Sequence, residues 1–258
     1  MNSPVAVMGE RAVALAETFG GLTLLSTRTF RVGLERRLPW RELLRSLDEI
    51  AVRSLWLVIL TALFTGLVLA LQTGFGLQRF GSQQYVGYVV SLAIVRELGP
   101  VLTALIVGGR VAGGIAAELG SMAVTEQVDA IRAMGADPVR QLVLPRVLGC
   151  VIALPMLTAI SDVLGVLGGM LIAYLQFNLQ PSYFLQTVVL SLELTDIASG
   201  LAKTAFFGFG IAVIACFEGL RTTGGTVGVG RATTRAVVYA SISVLTLNFF
   251  LTKLFLLL

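Results

Sequence analysis

Five stretches of this chain are long and apolar enough to cross a bilayer: about residues 54–71, 97–120, 147–174, 200–217 and 237–258. No other feature restricts the fold as tightly. Hydrocarbon offers no partner to a free backbone N–H or C=O, so a chain living there must close its hydrogen bonds within helices or a sealed barrel. Continuous apolar runs of about 20 residues rise far enough as helices to span a core of about 30 Å. The fold class implied is an all-α integral membrane protein with five transmembrane helices. Composition agrees, since 56% of the 258 residues are hydrophobic and 13% are charged, where a soluble domain has about 45–50% and about 25%.

Residues 1–53 form a separate N-terminal region. From Gly9 to Arg53 it carries eight arginines, and its apolar run Phe19–Leu25 is too short to span, so it should rest on the membrane surface. The opening MNSPVAVMGER lacks the basic start and apolar core of a cleaved signal peptide. After Pro39, the apolar residues Leu43, Leu44, Leu47 and Ile50 alternate with Arg41, Arg45, Glu49 and Arg53. That pattern predicts an amphipathic interfacial helix leading into the first span. Between the first two spans, TGFGLQRFGSQQ carries three glycines and reads as a helix break. The next apolar run, Tyr85–Val95, is half a membrane thickness, which predicts a re-entrant or interfacial segment.

A polar island, Glu118–Arg146, separates the second and third spans. Val124, Val128 and Ile131 share one stripe with Met134 beside it, predicting a short amphipathic helix over about residues 125–134. Gly135 is placed to end it, and Asp137 followed by Pro138 is an N-cap with proline at the first helical position. A short helix bracketed by its own stop and start signals is a rigid handle for a partner protein to push; an ordinary interfacial helix fits the same pattern. Basic residues concentrate in the N-terminal region, in this loop and in Glu218–Arg235. The positive-inside rule places all three on the cytoplasmic side, with the N-terminus cytoplasmic and the C-terminus outside.

Arg96, Glu97 and Lys203 then cluster at the outer end of two spans. Adjacent helical residues point about 100° apart, so Arg96 and Glu97 do not simply neutralise each other. A cavity for a zwitterionic or anionic head group satisfies both signs, and so does snorkelling combined with a Glu97–Lys203 pair. Arg110 and Asp162 lie deeper, where structural pairing or a backbone contact is the expectation ahead of direct contact with a substrate. Two GxxxG pairs, Gly109–Gly113 and Gly165–Gly169, mark small-residue faces for helix packing, within the subunit or at a dimer seam.

Several chemistries are excluded. The absence of histidine removes HExxH and Ser-His chemistry, and there is no GxSxG. Cys150 and Cys216 have no CxxC spacing and read as small core residues. There is no phosphate-binding GxxxxGK[ST], because GLAKT around Lys203 lacks the loop. Neither an acidic relay nor an inverted repeat is visible. A non-enzymatic transport subunit with no cofactor of its own, driven from outside, is the economical reading.

The run RELGPVLTALIVGGRVAGGIAAELGSMAVTEQVDAIRAMGADPVRQLVLPR at Arg96–Arg146, with GRATTRAVV at Gly230–Val238, resembles the signature of the MlaE/YrbE permease family. These are the membrane subunits of Mce-type ABC phospholipid transporters. The resemblance covers about residues 40–258, and residues 54–258 would form the permease domain. It implies a homodimer, cytoplasmic ABC ATPase subunits that hydrolyse the ATP, a periplasmic hexamer of an Mce-domain protein, and phospholipid as cargo. It leaves room for a STAS-domain protein and implies no nucleic-acid partner. The location implied is the bacterial inner membrane, and the fold implied resembles lipid-exporter-type ABC transmembrane domains. Residues 125–134 correspond to the coupling helix, so Thr125, Glu126, Gln127, Asp129, Arg132 and Met134 would face the ATPase, with Gly135, Asp137 and Pro138 as the exit turn. Arg96, Glu97 and Lys203 match charged positions near the lipid cavity. A membrane scaffold anchoring the Mce ring and the ATPase, or an ion-coupled carrier, are the competing readings.

Overall fold

The computed structural model describes residues 4–35 and 40–257, which leaves Pro39 and Leu258 outside. Among the described residues there is no strand. The α-helices are α1 (Pro4–Glu35), α2 (Trp40–Leu47), α3 (Arg53–Gln78), α4 (Val86–Ala93), α5 (Gly99–Val124), α6 (Gln127–Ala133), α7 (Leu144–Phe177), α8 (Pro181–Ser191), α9 (Leu194–Leu220) and α10 (Gly225–Leu257). Three widened π turns, Asp48–Val52, Ile94–Leu98 and Val139–Val143, lead into α3, α5 and α7. Among the described residues, five helical units are long and apolar enough to cross a membrane: Trp40–Gln78, Gln83–Val124, Val139–Phe177, Leu194–Leu220 and Gly225–Phe255.

α9 is the most enclosed of the five, packed between α5, α7 and α10, while α3 covers the far side of α7. Small residues set these distances. Between helices in lipid there is little hydrophobic drive, so close backbone approach and dispersion hold the bundle. Gly66 of α3 lies against the carbonyl of Gly165 in α7, leaving no room for a Cβ. Gly169 faces Val90 of α4, and Gly113 faces Thr233 and Val237 of α10. A Cβ on Gly109 would meet nothing within 4 Å. Both cysteines are free and fully buried.

The helix breaks within TGFGLQRFGSQQ as expected, but later than its first two glycines. α3 continues through Gly74 and Gly76 to Gln78, and the chain turns at Gly81, whose φ is +65°. Gly74 is there for packing, because the Phe177 ring occupies the space of its missing side chain. The apolar run Tyr85–Val95 becomes the short helix α4, joined through its π turn to α5. α4 packs on α8, a helix formed in the mixed stretch after the third span, and the two are tied by a buried Ser91–Ser191 hydroxyl bond of 2.8 Å. α9 opens with a capping box in which the Glu193 N–H donates to Asp196 Oδ2 at 3.1 Å.

Within the N-terminal region, Pro4–Glu35 is one long helix, α1. α1 lies across the α6 end of the bundle, where Gly21 receives the Phe217 ring and Gly33 approaches Leu144. Arg28 of α1 pairs with Asp137 at 3.0 Å.

Candidate functional site

Two polar sites occupy opposite ends of the bundle. At the α8 end, the π turn Ile94–Leu98 presents Arg96 and Glu97 to α9 and α10. Pro100 is the local cause of one contact. An α-helix would give the Arg96 carbonyl the N–H of residue 100, and proline has none. Lys203 of α9 supplies the missing donor at 3.1 Å. Its ammonium also donates to Glu97 Oε1 at 2.7 Å and Thr252 Oγ at 2.8 Å, which uses all three of its N–H bonds. Glu97 Oε2 accepts from Asn248 Nδ2 at 3.1 Å, and Thr252 donates to Glu97 Oε1 at 3.0 Å.

The result joins α5, α9 and α10 through one carboxylate. The Lys203 side chain is 4% exposed and that of Glu97 37%, so the pair is sealed on one side and open on the other. The open side is a cleft of about 350 Å³ lined by Leu92, Ala93, Arg96, Glu97, Ser199, Lys203, Thr252 and Phe255. Arg96 turns the other way, as helical geometry requires, and pairs with Asp196 at 2.7 Å. Thus the three residues singled out in the sequence are brought together, with cationic and anionic groups in one apolar-walled cleft. Asp196, Asn248 and Thr252 were not singled out. Asn248 and Thr252 stand at i, i+4 in the last span, a spacing that places both on one helix face.

Deeper in the bundle, Arg110 makes the expected backbone contact. The Arg53 N–H bonds to the Asp48 carbonyl across the π turn, leaving the Glu49 carbonyl to accept from Arg110 Nη2 at 2.6 Å. Arg110 also donates to Ser54 Oγ at 2.8 Å. Asp162 departs from expectation: its Oδ1 is buried with no partner among the described residues.

At the other end, α6 is a seven-residue helix, shorter than the predicted 125–134 because its flanks are turns. Thr125 ends α5, its hydroxyl donating to the Ser121 carbonyl at 2.8 Å while accepting from Gln127 Nε2 at 3.0 Å. Glu126 then adopts a left-handed conformation, φ 61°, which reverses the chain into α6. Val128 and Ile131 point into the bundle core as the stripe requires. Met134, beside that stripe, is 75% exposed. Gly135, at φ 76°, closes the helix, and the Ala136 N–H reaches back to the Ile131 carbonyl. Asp137 caps the π turn that leads into α7, its carboxylate accepting from the Val139 N–H at 3.1 Å with Pro138 between them. The exposed face carries Glu126, Gln127, Asp129 and Arg132, with Asp129 and Arg132 paired at 2.7 Å. At the same end, Gly224 and Gly225, both at positive φ, turn α9 into α10 beside a cleft lined by Arg221, Arg231 and Arg235. Among the described residues no group of three or more His, Cys, Asp or Glu could hold a metal.

Comparison with known proteins agrees with this architecture. The family described as Permease MlaE matches residues 43–254. A "probable ABC transporter permease protein" of Rickettsia typhi is 42% identical over 248 residues, covering 96% of each chain. A protein of the same description from Synechocystis is 39% identical, over 89% of this chain and 88% of its own. The "intermembrane phospholipid transport system permease protein MlaE" of Haemophilus influenzae is 32% identical over 97% of this chain and 96% of its own. With a family match across nearly all of the helical bundle and relatives matched end to end, this chain belongs to the MlaE family of ABC transporter permeases.

Proposed function

We propose that this protein moves phospholipid between a bacterial inner membrane and a periplasmic Mce-domain carrier, powered by a partner ATPase. The observation that carries this reading is the separation of the two sites along shared helices. α5 begins beside Glu97 and ends at α6, so a displacement of α6 is transmitted along a 26-residue rod to the carboxylate that joins three helices. Burial makes that network sensitive. The Glu97–Lys203 bond holds only while α5, α9 and α10 keep their relative positions, and moving α5 separates the charges. A phospholipid head group then replaces both partners, its phosphate on the cationic side and any ammonium on Glu97. The apolar wall of the cleft suits the adjoining glycerol and acyl chains.

In this reading two copies of the chain assemble, ATPase subunits dock on Glu126, Gln127, Asp129 and Arg132 of each, and the Mce hexamer sits over the Glu97 end. α6 faces the cytoplasm with the N-terminus, and the C-terminus faces the periplasm. A STAS-domain protein bound to the ATPase is compatible with this arrangement. The test is ATP-driven phospholipid transfer by the complex reconstituted in vesicles. Asp129→Lys should abolish transfer with the membrane protein still inserted, and Glu97→Ala should lower the phospholipid recovered with the complex without disturbing assembly. Full transfer by Asp129→Lys, or unchanged lipid recovery with Glu97→Ala, would overturn the reading.

A further inference from the structure

A second cavity, of about 330 Å³, lies between α7, α8 and α9. Its walls are hydrocarbon, chiefly Val163 and Leu167 of α7, Leu185 and Val188 of α8, and Ile197 and Leu201 of α9. Among the described residues, Asp162 is the single polar side chain in its lining. The residue is 8% exposed, and its Oδ1, sealed in the space where a side chain on Gly99 would stand, accepts from no donor among the described residues. Two further buried oxygens lie close in sequence register and are equally unpartnered: Thr158 Oγ1, one turn along α7, and Thr103 Oγ1, one turn beyond Gly99 on α5. Buried acceptors in folded proteins nearly always have a donor, and an ionisable residue inside a membrane marks a function by default. The Glu97 cleft is the contrasting case, because there each carboxylate oxygen has its donor within the protein.

We propose that this groove binds an alkylammonium, a hydrocarbon chain bearing one cationic amine, with the amine on Asp162. The apolar walls take the chain, and the carboxylate takes the ammonium through a charge-assisted hydrogen bond to Oδ2, since Oδ1 is sealed against Gly99 and lies beyond the reach of a groove ligand. Among the described residues no basic one lines the groove, so a phosphate two carbons from the amine would be buried without a partner. That argues for a free amine over an aminophospholipid head group. The site is separate from the Glu97 cleft and does not depend on what that cleft transports.

The experiment is equilibrium binding of radiolabelled dodecylammonium and dodecanol to the purified protein in phosphatidylcholine nanodiscs. The wild type should prefer dodecylammonium at least tenfold. Asp162→Asn should remove that preference and leave dodecanol binding unchanged, while Leu167→Trp, which fills the groove and keeps the carboxylate, should lose both ligands. Equal wild-type affinity for amine and alcohol, an undiminished preference in Asp162→Asn, unchanged binding in Leu167→Trp, or competition by phosphatidylethanolamine as strong as that of dodecylammonium would each overturn the proposal.

Discussion

Charged residues at the two ends of this bundle live under opposite conditions. Lys203 is enclosed, reaches two other helices and spends every donor on the protein. The Asp129–Arg132 pair sits within one short helix, with side chains 68% and 63% exposed, and water can replace either partner. A buried charge that spans helices defines where those helices stand, because losing a partner there strands the other. An exposed pair on a single helix defines little about the bundle, which leaves its face available to a docking protein. The same residue types therefore tie helices together at one end and stand open to solvent at the other.

That contrast can be broken by substitution. The largest effect is expected for Lys203→Met, which leaves Glu97 without its cation and should cost about 1.5–3 kcal/mol, less than a fully buried pair because Glu97 is 37% exposed and keeps Asn248 and Thr252. It would be read as a fall in the thermal unfolding midpoint of the purified protein. Adding Glu97→Gln should recover much of the loss, and a single-variant cost near zero would mean that the network does not hold the helices.

Asp137→Ala comes next. It removes the cap on the Val139 N–H together with the contact to Arg28, and should cost about 1–2 kcal/mol. Faster hydrogen exchange at residues 139–143 would show it. Glu126→Gly should act in the opposite direction, since the left-handed backbone costs a side-chain-bearing residue about 1–2 kcal/mol that glycine does not pay. A raised unfolding midpoint is the expected result. Arg132→Ala should be nearly silent in stability, within about 0.5 kcal/mol, as exposed pairs one helical turn apart usually are. A large loss there would erase the distinction between the two ends.

Much of the α6 end could be read from the chain because its determinants are local. Gly135, Asp137 and Pro138 act on their own neighbours, so the stop and restart needed no knowledge of the fold. Gly74 was misread because whether a glycine breaks a helix or admits a ring depends on whether Phe177 lies opposite. α8 was missed as an element because it is short and gains its burial from α4.

Apolar run length, helix caps and the spacing of charges are properties of consecutive residues, and helical hydrogen bonds close within a few residues of one another. From these the sequence by itself determined the five-span, all-helical class, the short bracketed helix between the second and third spans, and the placing of Arg96, Glu97 and Lys203 near one another. Only the tertiary structure decided that Glu97 answers to Lys203, Asn248 and Thr252 while Arg96 answers to Asp196, and that Asp162 answers to nothing in the described chain. Those outcomes depend on the rotation and axial offset of helices far apart in sequence. A shift of one residue along any helix turns its side chains by about 100°, and no local pattern records that angle.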